Sequence, residues 1–240
     1  MSSPKPAAGR LRIVATPIGN LADLSPRARD ALFSADLVAC EDTRRTGRLY
    51  QNLGAAGASA RPPLLPLHDH NEDRQIGRVL QTLEEGGAVT LVSDAGTPLV
   101  SDPGYRLVRA AVRQGLAVEA LPGPSAILTA LVVSGLPPYP FTFLGFPPRK
   151  KGRRRRFFGY HAALPHTLVF FESPRRAAAS LADAVEAFGP DRDAALAREL
   201  TKLHEEVLRG RLGELAAAIG ERPGLRGEVT VVVGGSGRRS

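Results

Sequence analysis

Short apolar runs alternate with amphipathic helical patterns through the first half of the chain. The apolar runs predict strands at residues 11–15, 36–39, 64–66, 88–92 and 117–121. Between them, apolar residues recur at helical spacing, as at Ile76, Val79, Leu80 and Leu83. Strands that alternate with helices are typical of βαβ units on a parallel sheet. We therefore expect an N-terminal α/β domain with a mostly parallel sheet over residues 10–121.

Polar residues stand directly before several of these helical patterns. Ser25 and Asp102 each precede a proline, which is favoured at the first position of a helix. Asp42 and Asn71 hold the same place before two other patterns. Short polar side chains there can accept hydrogen bonds from the first free amides of a helix. The sequence thus predicts N-caps at Ser25, at Asp102, at Asn71 and at either Asp42 or Thr43.

After residue 136 the pattern of apolar positions changes. Three prolines within residues 137–140 interrupt it and are typical of a joint between domains. Beyond them we predict helices at residues 174–188 and 212–219, and strands at 141–145, 167–171, 194–198, 206–211 and in the final run GEVTVVVGG. Successive strands with little helix between them indicate antiparallel pairing. We expect a C-terminal α/β domain with a mixed sheet over residues 122–236.

The composition of the 240-residue chain limits the classes of protein to which it can belong. With 43% apolar residues it can bury a core. Its one cysteine, Cys40, excludes a disulfide framework, and no run of about 18 apolar residues predicts a membrane helix. The first ten residues are polar and proline-rich, unlike a secretory signal. We therefore expect a globular protein of the reducing cytoplasm with no membrane partner.

The positive charge of the chain is concentrated in one segment. Residues 149–156, RKKGRRRR, contain seven basic side chains, which account for all but one unit of the net charge of +8. The segment is either a phosphate-binding loop, since clustered Arg and Lys bind nucleic-acid backbones, or a loop that only interacts with solvent. We favour the phosphate-binding loop, because seven basic residues in eight positions exceed the general richness of this chain in arginine.

Residues 93–104, SDAGTPLVSDPG, carry two Ser-Asp-x-Gly turns between a predicted strand and a predicted helix. Loops at the carboxyl ends of parallel strands form the ligand sites of open α/β sheets. Gly96 and Gly104 permit a backbone that a β-carbon would block, and Asp94 lies where the strand ends. The chain has no dinucleotide-binding or P-loop fingerprint. Since similar loops follow other strands, we expect a concave site for a compact zwitterionic or nucleoside-like ligand.

Eight segments of the chain resemble one known family. In order, they are ATPIGNLADLSPRA, EDTRRTG, LHDHNE, LVSDAGTPLVSDPG, LPGPSA, FLGFPPRKKGRRR, FFESPRR and ARELTKLHEE. They are similar to the bacterial ribosomal-RNA 2′-O-methyltransferases that modify a cytidine of the small subunit, within the tetrapyrrole-methylase superfamily. The resemblance spans residues 13–233. It implies two α/β domains, a homodimer, and S-adenosylmethionine bound in a cleft between the domains. The substrate that it implies is a ribose 2′-hydroxyl of 16S rRNA, free or in the 30S subunit.

The resemblance also implies which residues contact the cofactor. They lie in the first Ser-Asp-x-Gly turn, after the fifth strand and in two loops of the second domain: Asp94, Ala95, Gly96, Pro98, Ser125, Ala126, Phe171, Glu172, Leu200 and Thr201. Two of these residues have a purely structural alternative. Phe171 has the character of a core residue, and Asp94 has that of a turn residue.

Three polar residues are candidates for the chemistry of methyl transfer, which needs aligned reactants and a group that takes or orients the proton. By resemblance, Lys202 lies near the acceptor. There it would orient or deprotonate the hydroxyl, or bind the adjacent phosphate; a plain surface lysine is the alternative. Arg44 suits phosphate recognition on the substrate side, and Glu41 lies in the same loop. We therefore predict catalytic roles for Lys202, Arg44 and Glu41.

Two histidines in the segment LHDHNE raise the question of a metal site. His68 and His70 would share one face of an extended segment. No second group of ligands in the sequence supports them, and the one cysteine adds none. We therefore predict no metal. By resemblance, His68 and Asn71 are candidates for contact with RNA.

Two other functions remain open. A protein of this superfamily can transfer the methyl group to a carbon of a porphyrin or corrin precursor, but the basic segment argues against the wide apolar trough that this needs. A non-catalytic RNA-binding protein would use the charge alone, but the chain has no RNP, KH or zinc-knuckle motif. Many members of the resembled family continue into a small helical appendage, whereas this sequence stops at VVVGGSGRRS. Substrate binding would then rest more on the basic segment and on a dimer partner.

Overall fold

The computed structural model describes residues 9–55, 61–68, 71–222 and 224–237. Internal contacts divide the chain into two units, Met1–Ser125 and Ala126–Ser240, each with one five-stranded sheet. The proline-rich residues 137–140 lie inside the second unit, because the helix that precedes them packs against the second sheet. The prediction that these prolines join two domains is therefore wrong. No helix in the described ranges is long and apolar enough to cross a membrane.

The first unit carries helices on both faces of its sheet. Its strands are β1 (Arg10–Val14), β2 (Leu37–Cys40), β3 (Leu64–Pro66), β4 (Ala88–Val92) and β5 (Ala117–Leu121). Its helices are α1 (Pro26–Phe33), α2 (Thr43–Asn52), α3 (Glu72–Glu84) and α4 (Tyr105–Arg113), with a short 3-10 turn at Leu21–Asp23. The strand order is β3-β2-β4-β1-β5, and every pair is parallel. The predicted parallel α/β fold is confirmed.

Alternate residues of the central strands face opposite sides of this sheet. Ile13 belongs to one core cluster with Leu80 of α3 and Leu107 of α4, whereas Val14 belongs to a second cluster with Leu32 of α1. Strands that are buried on both faces carry continuous apolar runs. This explains why β2, with the sequence LVAC, contains no charged residue.

The predicted N-caps differ in what their side chains do. Ser25 accepts a hydrogen bond of 3.2 Å from a first-turn amide of α1, and Asp42 accepts one of 2.8 Å from α2, so both predictions are confirmed. Asn71 stands at the N-cap position of α3 but makes no capping bond. Its Oδ1 instead accepts from the amide of His68 at 2.8 Å and closes the preceding turn.

Asp102 is not the N-cap of α4, contrary to the prediction. The helix begins at Tyr105, after Gly104, whose φ of 118° lies in the left-handed region. Asp102 lies in the turn two residues before Gly104, which occupies the N-cap position. The buried Glu72 of α3 caps the helix instead, because its carboxylate accepts from the amide of Leu107 at 3.0 Å.

The second unit also packs helices on a sheet, but its strands run in both directions. The strands are β6 (Phe141–Phe143), β7 (Thr167–Glu172), β8 (Asp193–Arg198), β9 (Glu206–Arg211) and β10 (Val229–Val233). The helices are α5 (Ala126–Val133), α6 (Lys151–His161), α7 (Ala177–Phe188) and α8 (Leu212–Gly220). The order is β6-β7-β10-β8-β9, with β6 parallel to β7 and the other pairs antiparallel. The predicted mixed sheet is confirmed.

The basic segment is the start of α6 and not a loop, which corrects the prediction. Arg154 and Phe158, four residues apart, are both buried, and this burial holds the segment in a helix. Arg154 donates from Nε to Asp183 of α7 at 2.8 Å, and Arg155 donates to the other oxygen at 2.9 Å. Burial alone would raise the pKa of Asp183, but these hydrogen bonds lower it. Two of the seven basic residues therefore anchor the helix.

The pair formed by Arg154 and Asp183 generates a prediction about stability. Asp183→Ala leaves the buried guanidinium without its carboxylate, so we expect the free energy of unfolding to fall by about 3–5 kcal/mol. Urea unfolding, followed by circular dichroism, measures this change. Because folding lowers the pKa of Asp183, the difference from wild type should shrink as the pH falls below about 4.

The matched control for this prediction is Glu186→Ala. Glu186 contacts Arg155 at the surface, with 52% of its side chain exposed, so its removal should change stability far less than Asp183→Ala. Equal effects of the two substitutions would contradict the anchoring role of Asp183.

Candidate active site

The loops that carry the predicted site residues of the first unit lie along one edge of its sheet. All five strands are parallel, so their carboxyl ends meet there, at what we call the carboxyl edge. The loop after β1 begins at Ala15, that after β2 at Glu41, that after β4 at Ser93 and that after β5 at Pro122. Because these four strands are adjacent in the sheet, their loops are adjacent as well.

Hydrogen bonds join these loops to one another. Thr16 and Gly96 exchange amide-to-carbonyl bonds of 2.9 and 3.0 Å, which bridge the loops after β1 and β4. The Thr16 hydroxyl also donates to the carbonyl of Ser93 at 3.2 Å. The Thr97 hydroxyl donates to the carbonyl of Pro124 at 3.2 Å and so reaches the loop after β5. The loops are thus fixed by one another as well as by the strands that they follow.

Asp94 links the loops after β4 and β2. One of its carboxylate oxygens accepts from the amide of Asp42 at 3.2 Å, and the other lies 3.4 Å from Nε of Arg45. Burial raises the pKa of Asp94, although Arg45 opposes the shift. The result is a half-buried acceptor at the end of a strand, which suits a ligand that donates hydrogen bonds.

The second Ser-Asp-x-Gly turn holds its backbone in an unusual conformation. Leu99 and Ser101 have φ of 73° and 72°, in the left-handed region that non-glycine residues rarely adopt. Asp102 is half-buried beside them. Burial raises the pKa of Asp102 to about 6; a hydrogen bond from Ser93 opposes the shift and the charge of Asp94 adds to it. Strained backbone and a perturbed carboxyl together are typical of functional sites.

The predicted catalytic residues Glu41 and Arg44 follow β2 at the carboxyl edge. Glu41 is half-buried, whereas the Arg44 side chain is 86% exposed. Arg44 donates from Nε and Nη2 to the two oxygens of Asp42, at 3.1 and 2.9 Å, and these bonds lower the pKa of Asp42 to about 2. The guanidinium is therefore positioned by the N-cap of its own helix, while most of its surface stays open to solvent.

The other predicted cofactor residues of this region differ in their exposure. Gly96 and Pro98 are buried in the loop after β4, and Ala95 is half-buried before them. Ser125 is half-buried in the loop after β5 and ends the first unit. Ala126 begins α5 and belongs to the second unit. The four residues before Ala126 therefore lie in loops at the carboxyl edge, and Ala126 follows directly after Ser125.

The predicted residues of the second unit also gather at one edge of a sheet. β7 ends at Glu172 and β8 at Arg198, and Val229 of the intervening β10 pairs with both. The two strand ends are therefore about 10 Å apart. Phe171 is the residue before Glu172, and residues 200–202 follow β8. We call this the Glu172 edge.

Glu172 places a buried acceptor at this edge. Its side chain is 1% exposed, and Oε1 accepts from the amide of Ser173 and from Nη2 of Arg176, both at 2.6 Å. Oε2 has no hydrogen-bond partner in the described part of the chain. Buried carboxylate oxygens are normally paired, so an unpaired one is typical of a position that receives a donor from a ligand.

Phe171 is part of an aromatic group. Its ring lies 4.9 Å from that of Phe143 and 5.4 Å from that of Phe146. Phe171 is half-buried, and Phe146 is 55% exposed. The Phe171 ring thus packs against its neighbours, as expected for a core residue. The three rings together still present an apolar surface to solvent.

A strained turn after β8 positions Lys202. Glu199 and Thr201 have φ of 51° and 66°, and the carboxylate of Glu205 accepts from the amide of Thr201 at 2.6 Å. Lys202 donates to Glu199 at 2.8 Å and to Glu228 at 3.1 Å. Burial alone would lower the pKa of Lys202, but the two carboxylates raise it above its ordinary value. Leu200 is buried under the same turn.

The raised pKa of Lys202 restricts its chemistry. An ammonium group has three donors and no acceptor, and it stays protonated at neutral pH. Two donors are directed at Glu199 and Glu228, which leaves one for a further oxygen. Of the roles that the sequence leaves open, this geometry favours orienting a hydroxyl or binding a phosphate over removal of a proton.

The structure describes only part of the histidine segment. His68 contributes its amide to the turn before α3, and His70 lies outside the described residues. Within the ranges that the structure describes, no three His, Cys, Asp or Glu side chains are grouped so that they could hold a metal ion.

Sequence reasoning missed several residues that the structure brings to the site. Arg45 pairs with Asp94, Thr16 bridges two loops, and Arg176 holds Glu172. Arg45 and Thr16 act through partners on distant segments, so no local pattern marks them, whereas Arg176 stands only four residues after Glu172. The available signal was position, because all three residues lie in segments that carry the resemblance.

Comparisons with known proteins agree with the geometry. Residues 10–216 match the model of the tetrapyrrole (corrin/porphyrin) methylases. The chain is 50% identical, over 96% of its length, to the ribosomal RNA small subunit methyltransferase I of Mycobacterium tuberculosis (strain CDC 1551 / Oshkosh), of which it covers 79%. It is 44% identical, over 95% of its length, to the protein of the same name from Thermotoga maritima, of which it covers 99%.

A solved structure supports the fold. It is the uroporphyrin-III C-methyltransferase from Thermus thermophilus in complex with S-adenosyl homocysteine, with a TM-score of 0.61 and 21% identity; the match covers 94% of this chain and 97% of that one. The likeness at this identity concerns the fold alone. Since the family model spans most of the chain and the relatives are about half identical to it, the chain belongs to the tetrapyrrole methylase family, in the group of the ribosomal RNA small subunit methyltransferases I.

Proposed function

We propose that this chain is an S-adenosylmethionine-dependent methyltransferase that methylates the ribose 2′-hydroxyl of a cytidine in 16S ribosomal RNA. The observation that carries the proposal is the 50% identity, over 96% of the chain, to a protein named ribosomal RNA small subunit methyltransferase I. The loops at both sheet edges are consistent with this activity, because they place polar groups such as Asp94 and Glu172 at strand ends.

The polar groups at the two edges fit S-adenosylmethionine. The cofactor offers hydrogen-bond donors in its α-ammonium group and its ribose hydroxyls. In the first unit, Asp94 provides a half-buried carboxylate as an acceptor. In the second unit, Oε2 of Glu172 is an acceptor without a partner in the described chain. Donors on the ligand and acceptors on the protein are therefore complementary.

Ten residues make up the proposed cofactor site. They are Asp94, Ala95, Gly96, Pro98, Ser125, Ala126, Phe171, Glu172, Leu200 and Thr201. When bound, the cofactor supplies a methyl group that its sulfonium has already activated. The task of these residues is then to align it. The loop-to-loop bonds of Thr16 and Thr97 hold the loops of the first unit in shape, and the bond between Thr201 and Glu205 holds the turn of the second, so the loops of each unit require little further ordering.

The acceptor side is assigned to Lys202, Arg44 and Glu41. Lys202 uses its third N–H group to donate a hydrogen bond to the ribose oxygen or to the adjacent phosphate. Arg44 presents an open guanidinium, which suits a phosphate of the RNA backbone. Glu41 is a carboxylate that can accept a proton. Together these three residues orient the 2′-hydroxyl and bind the charge next to it.

The partners and setting of the protein form the last part of the proposal. The name of the relatives refers to the small ribosomal subunit, and the resemblance of the sequence motifs implies the 30S subunit as substrate and a homodimer as the active form. A cytoplasmic protein would meet this substrate directly.

The first test of the proposal concerns the acceptor. Purified protein with methyl-labelled S-adenosylmethionine should transfer label to 30S subunits from cells that lack the modification. The labelled nucleotide should resist alkaline hydrolysis, because its 2′-oxygen is blocked. A porphyrin precursor serves as the competing acceptor in a parallel reaction. Label in the porphyrin and none in the RNA would overturn the assignment, and no heat on titration with the cofactor would favour a non-catalytic RNA-binding protein.

A second test separates the roles of Lys202. Lys202→Ala should retain affinity for the cofactor, while kcat on 30S subunits falls by about 10²–10⁴-fold. Lys202→Arg keeps the cation and should recover much of the rate. Because the pKa of Lys202 is raised, the wild-type rate should not depend on its deprotonation between about pH 6 and about pH 10. A rate that climbs tenfold per pH unit and is lost in Lys202→Arg would instead identify Lys202 as the base.

A further inference from the structure

We propose that the exposed face of α6 binds single-stranded RNA and stacks an unpaired base on Tyr160. The inference rests on the proposed function, which supplies RNA as the substrate. We define the α6 outer face as Gly152, Arg153, Arg156, Gly159 and Tyr160. Arg156 is three or four positions from each of the other four residues, so all five lie on one side of the helix. All five are exposed.

The opposite side of α6 fixes the orientation of the outer face. Arg154 is 5% exposed and Phe158 is fully buried. Arg154 and Arg155 both donate to Asp183 of α7, so the helix cannot rotate without breaking a buried ion pair. The packing of α6 against the second unit therefore fixes which side of the helix faces solvent.

The positive charge of the outer face is not neutralised by the described chain. Arg153 and Arg156 have no carboxylate within 4.0 Å among the described residues, in contrast to Arg154 and Arg155. The same is true of the basic residues 149–151 that lead into the helix. Clustered cations without carboxylate partners attract a phosphate backbone, because binding releases its counterions.

Tyr160 indicates that the partner has unpaired bases. Its side chain is 85% exposed, and its ring lies edge-on to His161 at 5.0 Å, so one face of the ring is open. Tyr160 is one helical turn from Arg156. Single-stranded RNA is bound by aromatic rings that stack on bases beside arginines that hold phosphates, whereas duplex RNA offers its shape and its backbone. The combination therefore favours a single strand.

Two glycines on the same face add to this argument. A β-carbon at Gly152 or Gly159 would meet nothing within 4 Å in the described chain. Packing inside the protein therefore does not require glycine, and each glycine lowers the stability of the helix relative to alanine. Because Gly152 and Gly159 carry no side chains, a sugar-phosphate strand can approach the helix closely on either side of Arg156.

The segment that leads into α6 lies close to the Glu172 edge. Arg176 donates to Glu172 at 2.6 Å and to the carbonyl of Pro147 at 3.3 Å, and Pro147 stands two residues before the basic segment. From Arg153 to Tyr160 the helix rises by about 10 Å, which corresponds to about three nucleotides of a stacked strand. A strand held there can continue toward the edge at which Lys202 lies.

The test compares two matched triple variants of the full-length protein. Arg153→Ala/Arg156→Ala/Tyr160→Ala removes the α6 outer face. Tyr105→Ala/Arg109→Ala/Arg113→Ala removes the same charge and one exposed tyrosine from α4. The probe is an unstructured, fluorescently labelled 20-nucleotide RNA, with the duplex of the same sequence for comparison.

The α6 variant should bind the single strand more weakly than the α4 variant. The slope of log affinity against log salt should fall in magnitude by about 1.4, or about 0.7 for each lost phosphate contact. Tyr160→Ala alone should weaken binding by about 5- to 100-fold, with recovery in Tyr160→Phe, because stacking needs only the ring. Gly152→Ala/Gly159→Ala should raise the thermal unfolding midpoint and still weaken binding.

Two outcomes would overturn the inference: equal losses in the α6 and α4 variants, or wild-type affinity in Tyr160→Ala. Methylation assays on 30S subunits distinguish this failure from failure of the proposed function. If wild-type protein methylates RNA and the α6 variant does so equally well, this inference falls and the function stands. If wild-type protein transfers no methyl group to RNA, the proposed function falls first.

Discussion

The parallel direction of five strands is the constraint on which the first unit depends. Parallel strands end at a common edge, so the loops after β1, β2, β4 and β5 are brought together whatever their sequences. The sequence of each loop then decides how it is held. Thr16 and Gly96 join two of them through backbone bonds, and Asp94 joins a third through Asp42. Function is thus concentrated at an edge that the sheet creates.

Much of the fold could be predicted because its signals are local. The apolar runs at residues 64–66, 88–92 and 117–121 coincide with β3, β4 and β5. The cap at Ser25 needs only the residues next to it. The mixed second sheet could be predicted as well, since two strands joined by a short connection without a helix, as β8 and β9 are, pair in opposite directions.

What the sequence did not reveal depends on contacts between distant segments. Arg154 is a polar residue in the sequence pattern, so the pattern does not predict that this side of α6 is buried. Its burial depends on the hydrogen bond that it donates to Asp183, 29 positions away. Asp102 has the local character of a cap, but Gly104 occupies the N-cap position of α4 and Glu72 of another helix accepts from its first turn. The carboxylates around Lys202 likewise come from two segments, and they set its protonation. Local patterns locate loops, whereas tertiary contacts decide the chemistry of each side chain.

The ion pair beneath α6 has a consequence for recognition. Arginine-rich segments that are unfolded alone lose conformational entropy when a partner orders them, and this loss reduces their affinity. Here the cost of ordering is met during folding, because Arg154 and Asp183 fasten the helix before any partner arrives. The remaining cations are therefore preorganised, and a larger share of each contact that they form can appear as binding free energy.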